Sequence, residues 1–387
     1  MLRALELAQN SVGQASPNPP VGCLIVRGGR AVGEGWHEYS KRDHAEIEAL
    51  RQAGPRAAGA TVYLTLEPCS HFGRTPPCAA RLVEAGIRKV EVAISDPNPV
   101  VSGRGLRLLR SAGVEVSVGL CREDAARLLD PFACHVRTGR PLVVAKAAMS
   151  LDGRIGTAAA WDRRITGPEA GRFTQSLRRE LDAVLVGVNT VLADDPRLTY
   201  RGQRPKSPPL VRVILDGGLR TPTGARVLQG APETPTIIFC GRESPPGRRQ
   251  KLVEQGAEVI PVPGVSGRLR LSAVLRILGK RDLLGLLVEG GSEVHWSFVS
   301  GRLVDKFYFL VAPVVLGGRD SVPVVGGEGY HRISRAARFK IARMFDLGAD
   351  LAIEAYPRYS RSIVSPWLPG AGSPSAGKCR AHTSARR

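Results

Sequence analysis

The chain has 387 residues, more than a single hydrophobic core usually serves, so two domains are expected. Its 43% hydrophobic content is that of a globular protein, and its longest nearly unbroken apolar run, Phe307 to Leu316, is too short to cross a bilayer, so no membrane span is expected. The formal net charge of +20 fits phosphorylated ligands, nucleic acid or an anionic surface; arginines dispersed along the whole chain and only 5% aromatics argue against nucleic acid.

In chain order, a Leu2/Leu5/Ala8/Val12 stripe predicts a helix over 2–14, a part of the fold and not a secretion signal. Strands follow at 21–27 and 31–35, a helix begins near His44, a strand covers 61–66, and a helix starts near Pro77. Then come a strand at 89–94, a helix at 105–112, a strand at 114–118 and a helix at 123–136. Alternating strands and helices predict an α/β layer sandwich over 1–138, ended by the turn-rich Thr138-Gly139-Arg140-Pro141.

A second α/β unit is expected over 142–356. Apolar runs at 142–147, 183–186, 211–215, 236–239, 284–288 and 306–311 read as buried strands, with helices at 168–180, 246–255 and 271–278. No Gly-x-Gly-x-x-Gly opens a helix after its first strand, which argues against an ordinary Rossmann site. From Pro357 to Arg387 there is no acidic residue, and Ser, Pro, Gly and Arg dominate, so a disordered basic tail is expected. Seven scattered cysteines form no disulfide framework and fit a reducing cytoplasm.

The chemistry sits in the first unit. His44-Ala45-Glu46 opens a helix, Glu67-Pro68-Cys69 closes a strand, and Cys78 starts the next helix. One imidazole and two thiols suit tetrahedral Zn²⁺ with a fourth position open to water, the pattern of catalytic zinc. Glu46 is the catalyst: it takes a proton from the attacking water and passes it to a ring nitrogen and then to departing ammonia, as in zinc deaminases. Each residue alone is uninformative, since His-x-Glu is common on helices and cysteines fill cores. Together, in this order, they point to a deaminase of an aminopyrimidine-like ring.

The two cysteines are separated by eight residues, where the general deaminase pattern has two. The residues around them resolve this. Ser16-Pro17-Asn18-Pro19-Pro20-Val21-Gly22, Thr65-Leu66-Glu67-Pro68-Cys69-Ser70-His71, Gly73-Arg74-Thr75-Pro76-Pro77-Cys78 and Asp96-Pro97-Asn98-Pro99 closely resemble the deaminase half of the bifunctional riboflavin-biosynthesis deaminase/reductases, whose cysteine spacing is also long. The resemblance implies a cytidine-deaminase-like α/β/α sandwich in which Asn18, His71, Arg74 and Asp96 line the substrate pocket. By chemistry alone Asn18 suits a ring edge and Arg74 a phosphate.

Ser150-Leu151-Asp152-Gly153-Arg154, Val191-Leu192-Ala193-Asp194-Asp195-Pro196 and Val288-Glu289-Gly290-Gly291 resemble the reductase half of the same family. That implies a dihydrofolate-reductase-like α/β domain using NADPH. Carried over by position, Ala148, Arg164, Thr190, Asp194 and Gly217 would contact NADPH. So would Gly291, Ser292, Glu293, Val294, His295, Trp296 and Ser297, where two glycines after a strand let a pyrophosphate approach backbone N–H groups. Asp162, Arg178, Leu198, Arg201 and Glu289 would contact substrate. From the residues alone, Arg178 and Arg201 are either phosphate clamps or solvated surface groups, and Lys146 either orients the opened sugar or reaches solvent. Two positions differ from the family: Ala148 stands where Gly is frequent, and Arg164 where Trp is frequent, so Arg164 either pairs with a cofactor phosphate or lowers cofactor affinity.

The expected activity is hydrolysis of the 2-amino group of a diamino-ribosylamino-pyrimidinone 5′-phosphate, followed by NADPH-dependent reduction of the ribosyl chain to ribityl. The expected partner is therefore a small phosphorylated pyrimidine, with neither nucleic acid nor membrane, and the resemblance implies a homo-oligomer. Three rivals are a deaminase-only enzyme whose reductase domain is inactive, an RNA or nucleoside deaminase, which the long cysteine spacing disfavours, and a non-catalytic zinc protein.

Overall fold

The computed structural model describes residues 1–359 except 42, 73–75, 100, 158–163, 231–232 and 266–267. The described residues divide into two compact units, Met1–Thr138 and Gly139–Tyr359.

The first unit runs α1 (Leu2–Ser11), β1 (Gly22–Arg27), β2 (Arg30–Trp36), α2 (Ala45–Ala53), β3 (Thr61–Leu64), α3 (Cys78–Glu84), β4 (Lys89–Val92), α4 (Arg104–Ser111), β5 (Glu115–Val118) and α5 (Arg122–Thr138). Its sheet has the order β2-β1-β3-β4-β5; β1 is antiparallel to both neighbours, and β3, β4 and β5 are parallel. On one face Ala45 and Ala49 of α2, Ala79 and Leu82 of α3, and Leu106 and Leu109 of α4 pack on Ile25, Val62, Leu64 and Val90. On the other, Leu5 of α1 and Ala125, Ala126 and Leu129 of α5 pack with Leu66 and Ile94. The result is the α/β/α sandwich that the resemblance implies.

One local feature sets the height of α2 above the sheet. A Cβ on Gly33 would lie 2.2 Å from Ala49 O, and one on Gly35 2.1 Å from Ala45 O. Only glycines at these alternate positions of β2 let α2 lie directly on the strand. The alanine face of α2 completes this close approach.

The second unit runs β6 (Leu142–Ser150), β7 (Arg154–Gly156), α6 (Pro168–Glu180), β8 (Ala183–Gly187), α7 (Val188–Asp194), β9 (Val211–Leu215), β10 (Thr236–Gly241), α8 (Pro246–Glu254), β11 (Glu258–Val262), β12 (Gly264–Val265), β13 (Arg268–Leu269) and α9 (Leu271–Gly279). It continues with β14 (Gly285–Gly290), α10 (Ser292–Ser300), β15 (Lys306–Ala312), β16 (Val322–Pro323), β17 (Phe339–Leu347) and β18 (Asp350–Pro357). The nine-stranded sheet has the order β11-β10-β9-β8-β14-β6-β15-β18-β17, parallel from β11 to β15 and antiparallel through β18 and β17. Strand β14 enters between β6 and β8, so their carboxyl ends lie side by side, the usual place for a ligand crevice in such a sheet.

The antiparallel hairpin of β17 and β18, the strands β7, β11, β12, β13 and β16, and the short helix α7 are additions to the expected elements. Backbone pairing also runs slightly past the expected end of this unit: the Arg358 N–H donates to Arg338 O at 2.7 Å. The expected tail lies, beyond Tyr359, outside the described residues. Among the described residues, no helix is long and apolar enough to cross a membrane.

Candidate active sites

The first site forms where β3 ends against α2 and α3. His44 is the residue just before α2 and Cys78 is the first of α3. Cys69 lies in the connection after β3, and its Sγ accepts the Cys78 backbone N–H at 3.3 Å. His44 Nδ1 lies 3.7 Å from Cys69 Sγ and 3.2 Å from Cys78 Sγ, and the three candidate ligand atoms all fall within 4.8 Å of one another. Tetrahedral zinc with Zn–N about 2.0–2.1 Å and Zn–S about 2.3 Å separates such N and S atoms by about 3.6 Å, so the three residues fit zinc with shifts of a few tenths of an ångström. The Cys78 thiol, together with the His44 ring, holds the Cys69 thiol down against its burial, while Cys78 is pushed up by that same contact and by burial.

Glu46, in the first turn of α2, is 4% exposed. Burial pushes its carboxyl up to about 7, opposed by His44 and reinforced by the Cys69 charge. A carboxyl whose charge is disfavoured by burial is suited to carrying a proton.

Around these groups is a cavity of about 360 Å³ lined by Asn18, His37, His44, Glu46, Glu67, Cys69, His71, Asp96, Asn98 and Phe132, among others. The structure thus brings Asn18, His71 and Asp96 together at the metal-ligand set. Burial raises the Asp96 carboxyl, with Glu67 and Cys69 adding to the shift. Arg74 lies outside the described residues.

His37 escaped the sequence reading. It is 3% exposed, its Nε2 accepts Asn18 Nδ2 at 3.0 Å, and its Nδ1–H donates to Asp43 O at 2.9 Å. Asn18 thereby keeps its amide oxygen free of this contact. The clue was available in the Gly-Trp-His that closes β2 just ahead of His44. Phe132 carried no such clue, because it reaches the cavity from α5, far along the chain.

The second site centres on Glu289, at the carboxyl end of β14. Arg178 Nε and Nη2 donate to its two oxygens at 2.6 and 3.0 Å, and Lys146 Nζ stands 3.5 Å from Oε2. Burial works against the Glu289 charge, but Lys146 and Arg178 overcome it and hold the carboxyl at about 2. Neither Arg178 nor Lys146 reaches solvent as a surface group would: they are 7% and 9% exposed. A third Arg178 donor, Nη1, binds Thr199 O at 2.8 Å and so anchors the turn that carries Leu198. Leu198 is buried with a positive φ of 51°. Arg201 is exposed; its N–H donates to Gln175 Oε1, and its Nη1 to Thr199 Oγ1 at 3.2 Å. Partial burial and the charges of Arg178 and Arg197 lower the Arg201 guanidinium.

The proposed cofactor residues spread along the neighbouring strand ends. Ala148 is on β6, Thr190 and Asp194 are on α7, and the Gly217 carbonyl accepts Gly241 N–H and Ser244 Oγ–H, each at 3.0 Å. A Cβ on Gly291 would stand 3.3 Å from Thr190 Oγ1, so the turn into α10 adjoins α7. Gly290 has φ 113°, which favours glycine, and the Ser292 hydroxyl, first in α10, is buried without a partner. A glycine turn at a helix start with an unspent hydroxyl fits a pyrophosphate.

Farther along α10 the side chains have protein partners. Glu293 Oε1 accepts Gly327 N–H at 2.8 Å, Ser297 Oγ–H donates to Glu293 O, and Trp296 meets Tyr330 edge-on. Val294 packs below Gly187, where a Cβ would stand 2.7 Å from its Cγ2. His295 is 1% exposed, with Nδ1 against Val324 O. Arg164 is exposed ahead of α6, and Asp162 lies outside the described residues.

A family model described as the RibD C-terminal domain matches residues 141–353, and one described as the cytidine and deoxycytidylate deaminase zinc-binding region matches residues 1–94. The riboflavin biosynthesis protein RibD of Aquifex aeolicus is 41% identical over 353 residues, spanning 91% of this chain and 96% of the relative. Its Escherichia coli counterpart is 37% identical over 366 residues, spanning 91% and 97%. The solved Acinetobacter baumannii RibD superposes with a TM-score of 0.82 at 36% identity, covering 92% of this chain and 98% of that one. A Thermotoga maritima structure described as a diaminohydroxyphosphoribosylaminopyrimidine deaminase/5-amino-6-(5-phosphoribosylamino)uracil reductase gives 0.80 at 33% identity, covering 92% and 97%. With a zinc-fitting deaminase site in one unit and the RibD reductase domain in the other, the chain belongs to the RibD family of bifunctional riboflavin-biosynthesis deaminase/reductases.

Proposed function

We propose that residues 1–138 hydrolyse the exocyclic 2-amino group of 2,5-diamino-6-ribosylamino-4(3H)-pyrimidinone 5′-phosphate, and that residues 142–356 then reduce the ribosyl chain of the product to ribityl. The observation that carries the reading is the convergence of His44, Cys69 and Cys78 beside the buried Glu46. In this reading His44, Cys69 and Cys78 hold Zn²⁺, which when bound supplies the Lewis acidity that makes water a nucleophile near neutral pH. Glu46 removes a proton from the attacking water, returns it to the ring nitrogen and delivers one to the departing ammonia. Asn18, oriented by His37, reads the ring edge, and Asp96, His71 and Arg74 complete the wall.

In the second unit, NADPH supplies the hydride when bound. Ala148, Arg164, Thr190, Asp194, Gly217 and the Gly291–Ser297 segment hold it in the crevice beside β14. Glu289 and Lys146 orient the sugar, while Arg178 works chiefly by fixing Glu289 and the Thr199 carbonyl. Asp162, Leu198 and Arg201 complete the substrate side, and Arg201, being exposed, is suited to the 5′-phosphate.

Phosphate on both substrates accounts for part of the basic charge without nucleic acid. The thiols the metal site requires fit the cytoplasm. A homo-oligomer is supported by exposed Ile341 and Met344 on the edge strand β17.

Ammonia release, bound zinc and NADPH consumption, measured on the wild type and Glu46→Gln, test the reading. The variant should keep its zinc and its NADPH consumption on deaminated substrate, and lose about 10²- to 10⁴-fold in ammonia release. Equal ammonia release by the two proteins sinks the assignment of Glu46, and absent NADPH consumption in both sinks the reductase.

A further inference from the structure

One buried carboxylate in the first unit has no part in the chemistry described so far. Glu67 is 4% exposed and stands two residues before Cys69. Its Oε2 accepts the backbone N–H of Asp96 at 3.0 Å and of Gly103 at 2.9 Å. Its Oε1 accepts Gly105 N–H at 2.9 Å and Leu106 N–H at 3.4 Å. Four amides from two segments thus converge on one side chain.

Three of these amides open α4. Gly103 is the residue just before the helix, no side chain of its own caps it, and its first turn holds no acidic residue. Glu67 does both jobs from the connection after β3, satisfying the free N–H groups and placing negative charge at the positive end of the helix. The fit is close: a Cβ on Gly105 would stand 2.0 Å from Pro68 O. The fourth amide belongs to Asp96, whose Oδ1 in turn accepts Asn98 N–H at 2.8 Å. Asp96, Asn98 and Val101 line the cavity, so both ends of this wall are tied to the residue that leads into Cys69.

We infer that Glu67 is a positioning residue for deamination: by holding Asp96 and Gly103 on one carboxylate, it sets the distance between the pyrimidine-binding wall and the metal ligands. The inference rests on the deaminase reading of this unit. It assigns Glu67 to substrate binding, with neither proton transfer nor metal ligation among its tasks. A neutral isostere makes this visible, because glutamine offers only one carbonyl oxygen and must turn an NH₂ group toward two of the four N–H donors.

The test compares wild type with Glu67→Gln and Glu67→Asp in the full chain, measuring KM and kcat for ammonia release, bound zinc, and NADPH consumption as an internal control. Glu67→Gln should raise KM by about 10- to 100-fold while kcat changes less than about threefold and zinc is retained. Glu67→Asp, which keeps the charge, should recover part of that loss. Loss of zinc, a fall in kcat at unchanged KM, or no change at all would overturn the inference.

Should the variants fail to fold, amide exchange on the wild type decides. The Asp96 and Gly103 N–H groups lie outside regular helix or strand pairing and should exchange at least about tenfold slower than exposed loop amides, since Glu67 is their acceptor. Rapid exchange at both would overturn it. Wild type that releases no ammonia would remove the deaminase reading itself, while the same exchange data would still decide whether Glu67 holds the wall.

Discussion

The two units reach their sites by opposite routes. In the first, the reacting groups are chosen by element: an imidazole and a thiol at the starts of two helices and a second thiol in the connection after β3, within 4.8 Å of one another. In the second, the crevice is laid out by backbone along the carboxyl ends of several parallel strands, and its charged centre is a buried Lys146–Glu289–Arg178 cluster. A metal demands particular donor atoms in a small sphere, and few substitutions satisfy that demand. A dinucleotide is held largely by main chain and shape, which many side chains allow. The first site should therefore fail abruptly when one atom changes, and the second by degrees.

Four outcomes would break or sharpen that contrast. The largest effect is expected from Cys69→Ser: zinc is lost and ammonia release falls on the order of 10⁴-fold or more, while NADPH consumption on deaminated substrate continues. Simultaneous loss of both activities would break the independence of the two sites. Chelator treatment of the wild type should reproduce the pattern, and zinc should reverse it.

Next is Glu289→Gln, which leaves Lys146 and Arg178 buried without their carboxylate. A loss of roughly 3 kcal/mol in the stability of the second unit is expected, read from the denaturant midpoint of its unfolding, because breaking a buried ion pair strands the remaining charge. Unchanged stability would mean the cluster serves ligand binding alone.

The same cluster predicts an acid limb. Glu289 is held at about 2 in the fold, against an ordinary 4.5. The unfolded chain therefore takes up the proton first as pH falls, so the stabilisation is complete above about 4.5 and is lost as pH drops from there toward 2. Denaturant midpoints of wild type should fall through that window, and those of Glu289→Gln should fall less steeply. Parallel curves would remove the cluster from the acid response.

The smallest effect is expected from Arg164→Trp, which installs the residue frequent in the family. An aromatic stack is worth about 0.5–1.5 kcal/mol, so NADPH affinity should change by no more than about tenfold, measured by fluorescence titration. A change of several hundredfold would show that one side chain governs this site after all.

Legibility in the sequence follows the same division. Expected helix 168–180 and strand 211–215 recur as Pro168–Glu180 and Val211–Leu215, because a proline opens the first and β-branched Val211, Val213 and Ile214 make up most of the second. Helix α7 was not anticipated: its seven residues follow β8 directly, Gly187 being both the last residue of the strand and the one that caps the helix. Strand β17 was hidden by a register shift between Ile341 and Arg343, which interrupts the two-residue alternation that marks a strand.

Among site residues, His44, Glu46, Cys69 and Cys78 were readable because their types and order specify the chemistry. The double task of Arg178, gripping both Glu289 and the Thr199 carbonyl, was not. Its partners lie 111 and 21 positions away, and nothing local announces them. Glu67 was visible only as part of a motif, since its four partners are amides, which every residue type but proline supplies.

The glycines at 33 and 35 of β2 have a consequence for how this enzyme can vary. Because α2 rests flush on them, His44 and Glu46 are inherited as a rigid pair whose depth is fixed by two absent side chains. A methyl group at either glycine would lift metal ligand and proton carrier together, disabling the centre without altering any residue that touches substrate. Tolerance maps of the gene should therefore show two silent-looking, chemically blank codons as unforgiving as those for the zinc ligands themselves.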